Sequence, residues 1–147
     1  MDKVEHIKRI LNSFEKLTGN RIIVRKSPKE DFVQIENGQF VLVSHNGAKD
    51  PILNYGNQCA LKLWEMTWDE FVKTPSRKTA EADIRKQRSE ILSIVSKQGY
   101  YSNYESIRIS STGKQFKIKN AVIWNVSDEN DLYIGQAAYF DKIQYLV

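Results

Sequence analysis

Apolar residues along this chain fall at helical spacing in its first half and at strand spacing in its last third. Val4, Ile7, Leu11 and Phe14 recur every three or four positions, with Ile10 and Leu17 widening the stripe, which predicts an amphipathic helix over 2–18. Asp2 is placed to cap its start and Gly19 to supply a left-handed stop. Ile22-Ile23-Val24 reads as strand or packed loop. Ser27-Pro28-Lys29-Glu30 then marks a second helix start, with proline in the first turn and glutamate set to bond back to the cap. Asn37-Gly38 ends that helix.

Phe40-Val41-Leu42-Val43 is a continuous apolar run beside a glycine, read as the first buried strand, and Ile52 to Tyr55 as a second. Asn57 caps a short helix from Gln58 to Glu65 carrying Leu61, Leu63 and Trp64. Thr67 and Glu70 have capping-box spacing at the head of a helix from Trp68 to Lys73, and Pro75 breaks the chain. A longer helix is expected from about Ala80 to Gln98, with Ile84, Arg88, Ile91, Leu92 and Val95 on one side and Gly99 as its stop. Tyr101 to Ser110 and Lys114 to Val126 flank the hairpin turn Ser111-Thr112-Gly113. The acidic turn Asp128 to Asp131 leads into a last strand over Leu132 to Tyr145. The expected fold is α+β, a five-stranded antiparallel sheet with helices on one face and an extra helical segment at the N-terminus.

A length of 147 residues fits one such domain, with an N-terminal helical extension at 1–39 and the sheet-bearing domain at 40–147. No apolar run approaches the roughly 20 residues of a membrane span. The first residues are too polar for a secretory signal and a single cysteine, Cys59, excludes an internal disulfide, so the default expectation is cytoplasmic. Net charge is +4, but the densest basic cluster, Arg77 to Arg88, is interleaved with Glu81, Asp83 and Glu90. That pattern is a solvated helix face rather than a nucleic-acid stripe. Two histidines and one cysteine argue against a protein-only zinc site.

Several motifs resemble the MEKHLA domain, a PAS-related module. They are Phe40-Val41-Leu42-Val43-Ser44-His45, Asp50-Pro51-Ile52-Leu53-Asn54-Tyr55-Gly56-Asn57, Pro75-Ser76-Arg77 with Thr79-Ala80-Glu81, Arg108-Ile109-Ser110-Ser111, Trp124-Asn125 and Gly135-Gln136-Ala137-Ala138. The resemblance implies a PAS-like sheet cupping a cavity behind short helices. In plants such a domain ends class III homeodomain–leucine zipper transcription factors, where it implies regulation. With no homeodomain or extended zipper before residue 40, this chain is similar to the free-standing bacterial versions.

Strand alternation indicates where polar groups face a cavity. Phe116, Ile118, Asn120, Val122, Trp124 and Val126 occupy alternate positions of one strand, and Asn120 is the polar exception. Leu132, Ile134, Gln136, Ala138 and Phe140 do so in the last, where Gln136 is the exception. A buried amide without a partner costs about 1–3 kcal/mol, so the two either converge on a ligand or bond to loop backbone. Trp64, Trp124 and Tyr55 are further candidates for the cavity wall, although the tryptophans also fit a plain core. Arg77 either anchors an anion at the cavity mouth or pairs with Glu81. Gly56-Asn57-Gln58-Cys59 superficially matches the flavin-adduct cysteine of light-sensing relatives, but Ala60-Leu61-Lys62-Leu63 replaces the Arg-Phe-Leu-Gln that follows it there. No flavin or haem signature is present.

The expected function is a non-catalytic sensory or regulatory module that takes a small, largely apolar ligand or a partner protein. The N-terminal helix is its candidate output, packed on its own sheet or on that of a twin in a homodimer. The alternative is a small cupped enzyme, hydrolase or isomerase in kind, using His45 or Glu81 as base.

Overall fold

The computed structural model describes residues 1–80, 90–91 and 93–146. In chain order these form α1 (Lys3–Thr18), α2 (Pro28–Glu36), β1 (Val41–Asn46), β2 (Leu53–Gly56), α3 (Gln58–Trp64), α4 (Trp68–Phe71), a 3-10 turn (Ser76–Thr79), β3 (Tyr100–Ile109), β4 (Gln115–Ser127), β5 (Tyr133–Phe140) and β6 (Lys142–Tyr145). Of the long helix expected from Ala80, residues 90, 91 and 93–98 are helical, and its first turns lie outside the described residues. Ile22 to Val24 forms loop. Among the described residues no helix is long and apolar enough to cross a membrane.

The helix starts form where capping chemistry predicts. Asp2 accepts from the Glu5 amide at 3.2 Å and Ser27 from the Glu30 amide at 3.2 Å. Thr67 and Glu70 close a reciprocal capping box. Gly19, at φ 73°, stops α1. Asn57 does more than cap α3. Its Oδ1 accepts from the amides of Ala60 and Leu42, and its Nδ2 donates to the carbonyls of Ile35 and Phe40, each at 2.9 Å. One fully buried amide thus ties together the end of α2, the entry to β1 and the head of α3.

The sheet is antiparallel in the order β2-β1-β5-β4-β3, with β6 also paired to β4. Among the described residues it has six strands rather than five because the last expected strand breaks at Asp141. β5 runs between β1 and the second half of β4, whereas β6 pairs with its first half, Phe116 to Lys119. Gly135 sits where β5 passes β1. Its φ of 150° and the 2.1 Å that would separate a Cβ from the His45 carbonyl make glycine the residue that fits.

Short helices cover one face of the sheet and the N-terminal helical segment covers the other. The front face, under α3, α4 and residues 91 and 95, gathers Val41, Leu53, Phe71, Tyr104, Phe116, Ile118, Ile123 and Phe140 around Trp64. The back face packs Leu42, Tyr55, Trp124, Val126 and Ala137 against Ile7, Ile10, Leu11 and Phe14 of α1 and Ile35 of α2. The stripe on α1 therefore closes on its own sheet. Trp124 anchors it, donating its indole N–H to the Ile10 carbonyl at 3.1 Å and meeting the Phe14 ring edge-on at 4.8 Å between centroids. Arg9–Glu129 and Lys16–Asp131 ion pairs, each at 2.9 Å, strap the same helix to the β4–β5 turn.

His6 is buried under α1, bonded at 2.9 Å to the Ser44 hydroxyl, which donates onward to the Asn54 side-chain carbonyl at 2.5 Å. Burial lowers its pKa from 6.5 to about 4, with Arg9 adding to the shift and Asn54 opposing it. A depressed imidazole pKa means that the unfolded chain binds the proton more tightly. The stability held by neutral His6 is fully present above about pH 6.5 and is lost as the pH falls through 4, a change of about 3 kcal/mol. Urea midpoints at pH 7 and pH 4 test this. His6→Gln should flatten the difference, and an equal fall in both proteins would assign it to other groups.

Candidate functional site

A cavity of about 60 Å³ lies on the front face between the sheet and α3, α4 and the 3-10 turn. Val43, Leu53, Ile123, Ala138 and Phe140 give it an apolar floor, and Trp64 and Phe71 close it from the helix side. Polar groups enter from His45, Gln136, Ser76, Thr79, Tyr104 and Arg108. Several of these are settled by the fold. The Thr79 hydroxyl donates to the Ser76 carbonyl at 2.7 Å, and His45 Nδ1 donates to the Asn46 carbonyl at 2.8 Å.

Trp64 is different. It is 3% exposed, and its Nε1–H is a fully buried donor with no hydrogen-bond acceptor among the described residues. Most buried donors find a partner, and leaving one unmade costs about 1–3 kcal/mol. The ring is held firmly all the same. It meets Phe116 and Phe140 edge-on at 5.5 and 6.2 Å between centroids, and its carbonyl accepts from the Ser111 amide at 3.0 Å. Glu65, in the left-handed region at φ 57°, ends α3 and receives hydrogen bonds from Ser110, Ser111 and Thr112 of the β3–β4 turn. The bonds from Thr112 and then Ser110 hold its carboxyl below the usual range, with Lys114 adding to the effect.

Arg108 is the second unusual group; the sequence marks it only as part of a family motif, not as a candidate for the site. It is 5% exposed, and no carboxylate among the described residues lies within ion-pair distance of it. Its side chain runs back along β3, bonding to the Ser106 hydroxyl, the Ile107 carbonyl at 3.2 Å and the Tyr104 hydroxyl at 2.7 Å. Buried charges are ordinarily paired, since desolvation of an isolated ion costs several kcal/mol.

The expected site residues divide between the two faces. Gln136 lies in the cavity wall, where its Nε2 donates to Asn125 Oδ1 at 3.0 Å. Asn125 in turn donates to the Val95 carbonyl at 3.0 Å. Asn120 is exposed and does not converge with Gln136. The reason is local: Asn120 is in the left-handed region at φ 53°, which shifts the alternation of β4 by one residue. Phe116 and Ile118 face front before it, and Ala121 and Ile123 after it, while Trp124 and Val126 turn to the back.

Trp124 therefore packs under α1, not in the cavity. Tyr55 also faces back, donating its hydroxyl to Glu36 Oε1 at 2.7 Å, and burial pushes its pKa well above the ordinary phenol value. Arg77 is exposed and pairs with Asp50 at 3.2 Å, outside the cavity, although its neighbours Ser76 and Thr79 line it. Glu81, its other expected partner and a candidate base, lies outside the described residues. Cys59 is half-buried on α3, its thiol pKa raised by burial, and is not among the cavity lining. Among the described residues no cluster of His, Cys, Asp and Glu is fit to hold a metal ion.

The MEKHLA domain family model matches residues 4–145, taking in α1 and α2 as well as the sheet. The fold is that of PAS domains. A PAS domain from Colwellia psychrerythraea superposes with a TM-score of 0.67 at 15% identity, over 80% of this chain and 95% of that one. The photo-excited blue-light photoreceptor Vivid gives 0.62 at 11% identity over 92% and 94%. A PAS domain from a two-component sensor histidine kinase gives 0.61 at 10% identity over 80% and 95%. At these identities the likeness is one of fold. No curated protein matches the sequence.

Proposed function

The chain belongs to the MEKHLA domain family, and from that premise we propose that it is a non-catalytic sensory module whose front cavity takes a small molecule. The observation that carries this reading is the Trp64 indole N–H, a buried donor without an acceptor among the described residues, on a side chain that lines the cavity. A guest with one acceptor atom restores that hydrogen bond and fills the space above Val43, Ile123 and Ala138. Small-molecule sites are built this way, mostly apolar with a few convergent polar groups.

Two strands connect the cavity with α1. On β4, Ile123 lines the cavity and Trp124 beside it holds the Ile10 carbonyl across the back face. On β5, Gln136 faces the cavity, and Ala137 packs in the core under α1. We infer that a guest biases the sheet between two arrangements that seat α1 differently, a population shift set by the guest's differential affinity. Homodimerisation through the α1 stripe requires that helix to leave its own sheet. Sedimentation equilibrium with and without the guest follows it.

The test is to purify the protein under native conditions, denature it and analyse what is released by mass spectrometry. Trp64→Phe keeps the ring stack and deletes the donor, and should weaken retention about tenfold with the fold intact. Asn120→Gly, outside the cavity, should leave retention unchanged. Nothing released from the wild-type protein, or equal retention by Trp64→Phe, would contradict the reading.

A further inference from the structure

We propose that the guest is a small monocarboxylate, its carboxylate held by Arg108 with Trp64 and Tyr104 giving further hydrogen bonds. This rests on the reading of the front cavity as a ligand site and adds the chemical class.

Arg108, itself 5% exposed, brings a full positive charge to the cavity wall, and every acceptor it meets among the described residues is neutral. Glu65, at the end of α3, gives its carboxylate to Ser110, Thr112 and Lys114. Guanidinium cannot shed its proton to relieve burial, as lysine or histidine can, so a buried arginine calls for an anion.

Hydrogen-bond inventory points the same way. A guanidinium carries five N–H donors in a planar fork, and the bonds to Ser106, Ile107 and Tyr104 engage three of them. Nε has no acceptor among the described residues. The Tyr104 hydroxyl accepts from Arg108, which leaves its own proton to donate. With the Trp64 N–H, the cavity offers a cation and a surplus of donors. A planar carboxylate is the acceptor-only group whose two oxygens match such a fork.

Size and lining supply the rest. One water takes about 10–15 Å³ by this measure, so the cavity holds roughly four to six non-hydrogen atoms. Val43, Leu53, Ile123 and Ala138 around the rest of it suit a short aliphatic body rather than a second charge. A free inorganic anion satisfies Arg108 but sets its polar oxygens against that apolar lining.

The experiment uses the full chain and four probes: butyrate, butyramide, butylammonium and inorganic phosphate. Binding is read by calorimetry and by the shift in thermal midpoint at pH 7. Butyrate should bind at least tenfold more tightly than butyramide, and butylammonium should not bind. Arg108→Met should abolish the preference for butyrate over butyramide, whereas Arg108→Lys should weaken it and keep its sign. Equal binding of butyrate and butyramide by the wild-type protein, or a preference that survives Arg108→Met, overturns the anion assignment while leaving the cavity as a ligand site. Phosphate binding as tightly as butyrate overturns the aliphatic acid in favour of a bare anion. No binding of any probe, with the Trp64 indole resonance unmoved, removes the ligand site itself. The wild-type probe series decides the matter even if Arg108→Met fails to fold.

Discussion

Trp124→Ala should lower the free energy of unfolding by about 3–5 kcal/mol, the range for truncating a large buried aromatic. Trp124 heads the fully buried side chains by volume and lies at the centre of the back-face core. The substitution removes the edge contact with Phe14 and leaves the Ile10 carbonyl without its indole donor. It also opens a hole beneath a helix that the rest of the sheet cannot fill by collapsing, because α1 is strapped at both Arg9 and Lys16. Small domains hold only about 5–15 kcal/mol in total, so the variant should populate unfolded chains at ordinary temperatures. Denaturant titration followed by far-ultraviolet circular dichroism measures this without relying on the lost fluorophore. A loss below 1 kcal/mol would mean that α1 is not seated on the sheet as described.

Asn57→Ala should cost about 3 kcal/mol or more, although it deletes only a few atoms. Loss of the N-cap on α3 accounts for about 1 kcal/mol. The remainder comes from what is stranded: the buried Ile35 carbonyl and Leu42 amide and the part-buried Phe40 carbonyl lose partners. Asn57→Asp makes a sharper comparison. It keeps the accepting oxygen for Ala60 but faces those two carbonyls with another acceptor and places charge at a fully buried position. Both variants should therefore be destabilised, with Asp no better than Ala, when urea midpoints are compared at pH 7. Rescue by Asp would show that capping alone matters there.

Much of this architecture is legible in the residues, and the misreadings have identifiable physical causes. Helix starts read well because capping is local chemistry: Asp2, Ser27, Asn57 and the Thr67–Glu70 box each act within three residues of themselves. The α1 stripe was plain, but which surface it would cover was not, since an apolar face does not name its partner. Placement of the β4 side chains failed at one residue. Asn120 adopts a left-handed backbone, which asparagine tolerates better than other non-glycine residues. A lone asparagine inside a strand was therefore a signal for a kink as much as for a polar spot, and reading it as inward-facing carried Trp124 to the wrong side.

β3 buries polar positions instead of apolar ones: Ser106 and Arg108 are buried, while Ile107 and Ile109 are only half-buried. Apolar alternation is a rule about cores, and this strand borders a cavity that demands polar groups. Local conflict between pattern and burial is expected where function is built. Gln136, which breaks an otherwise apolar strand, does line the cavity, whereas Arg108, also in its wall, sits in a strand with no clean apolar period to break.

The account as a whole rests on the front cavity being open to a guest that meets Trp64. The most direct measurement is the nitrogen-edited proton spectrum of the indole N–H groups during titration with butyrate, because the chain has three tryptophans in three different settings. Trp124 already donates to Ile10, and Trp68 lies outside the cavity beneath the Lys3 ammonium. The prediction is a progressive shift of the Trp64 resonance as its N–H gains an acceptor, with Trp68 nearly still and Trp124 following only weakly through β4. A Trp64 signal that stays fixed while the others move, or three that drift together, would contradict it.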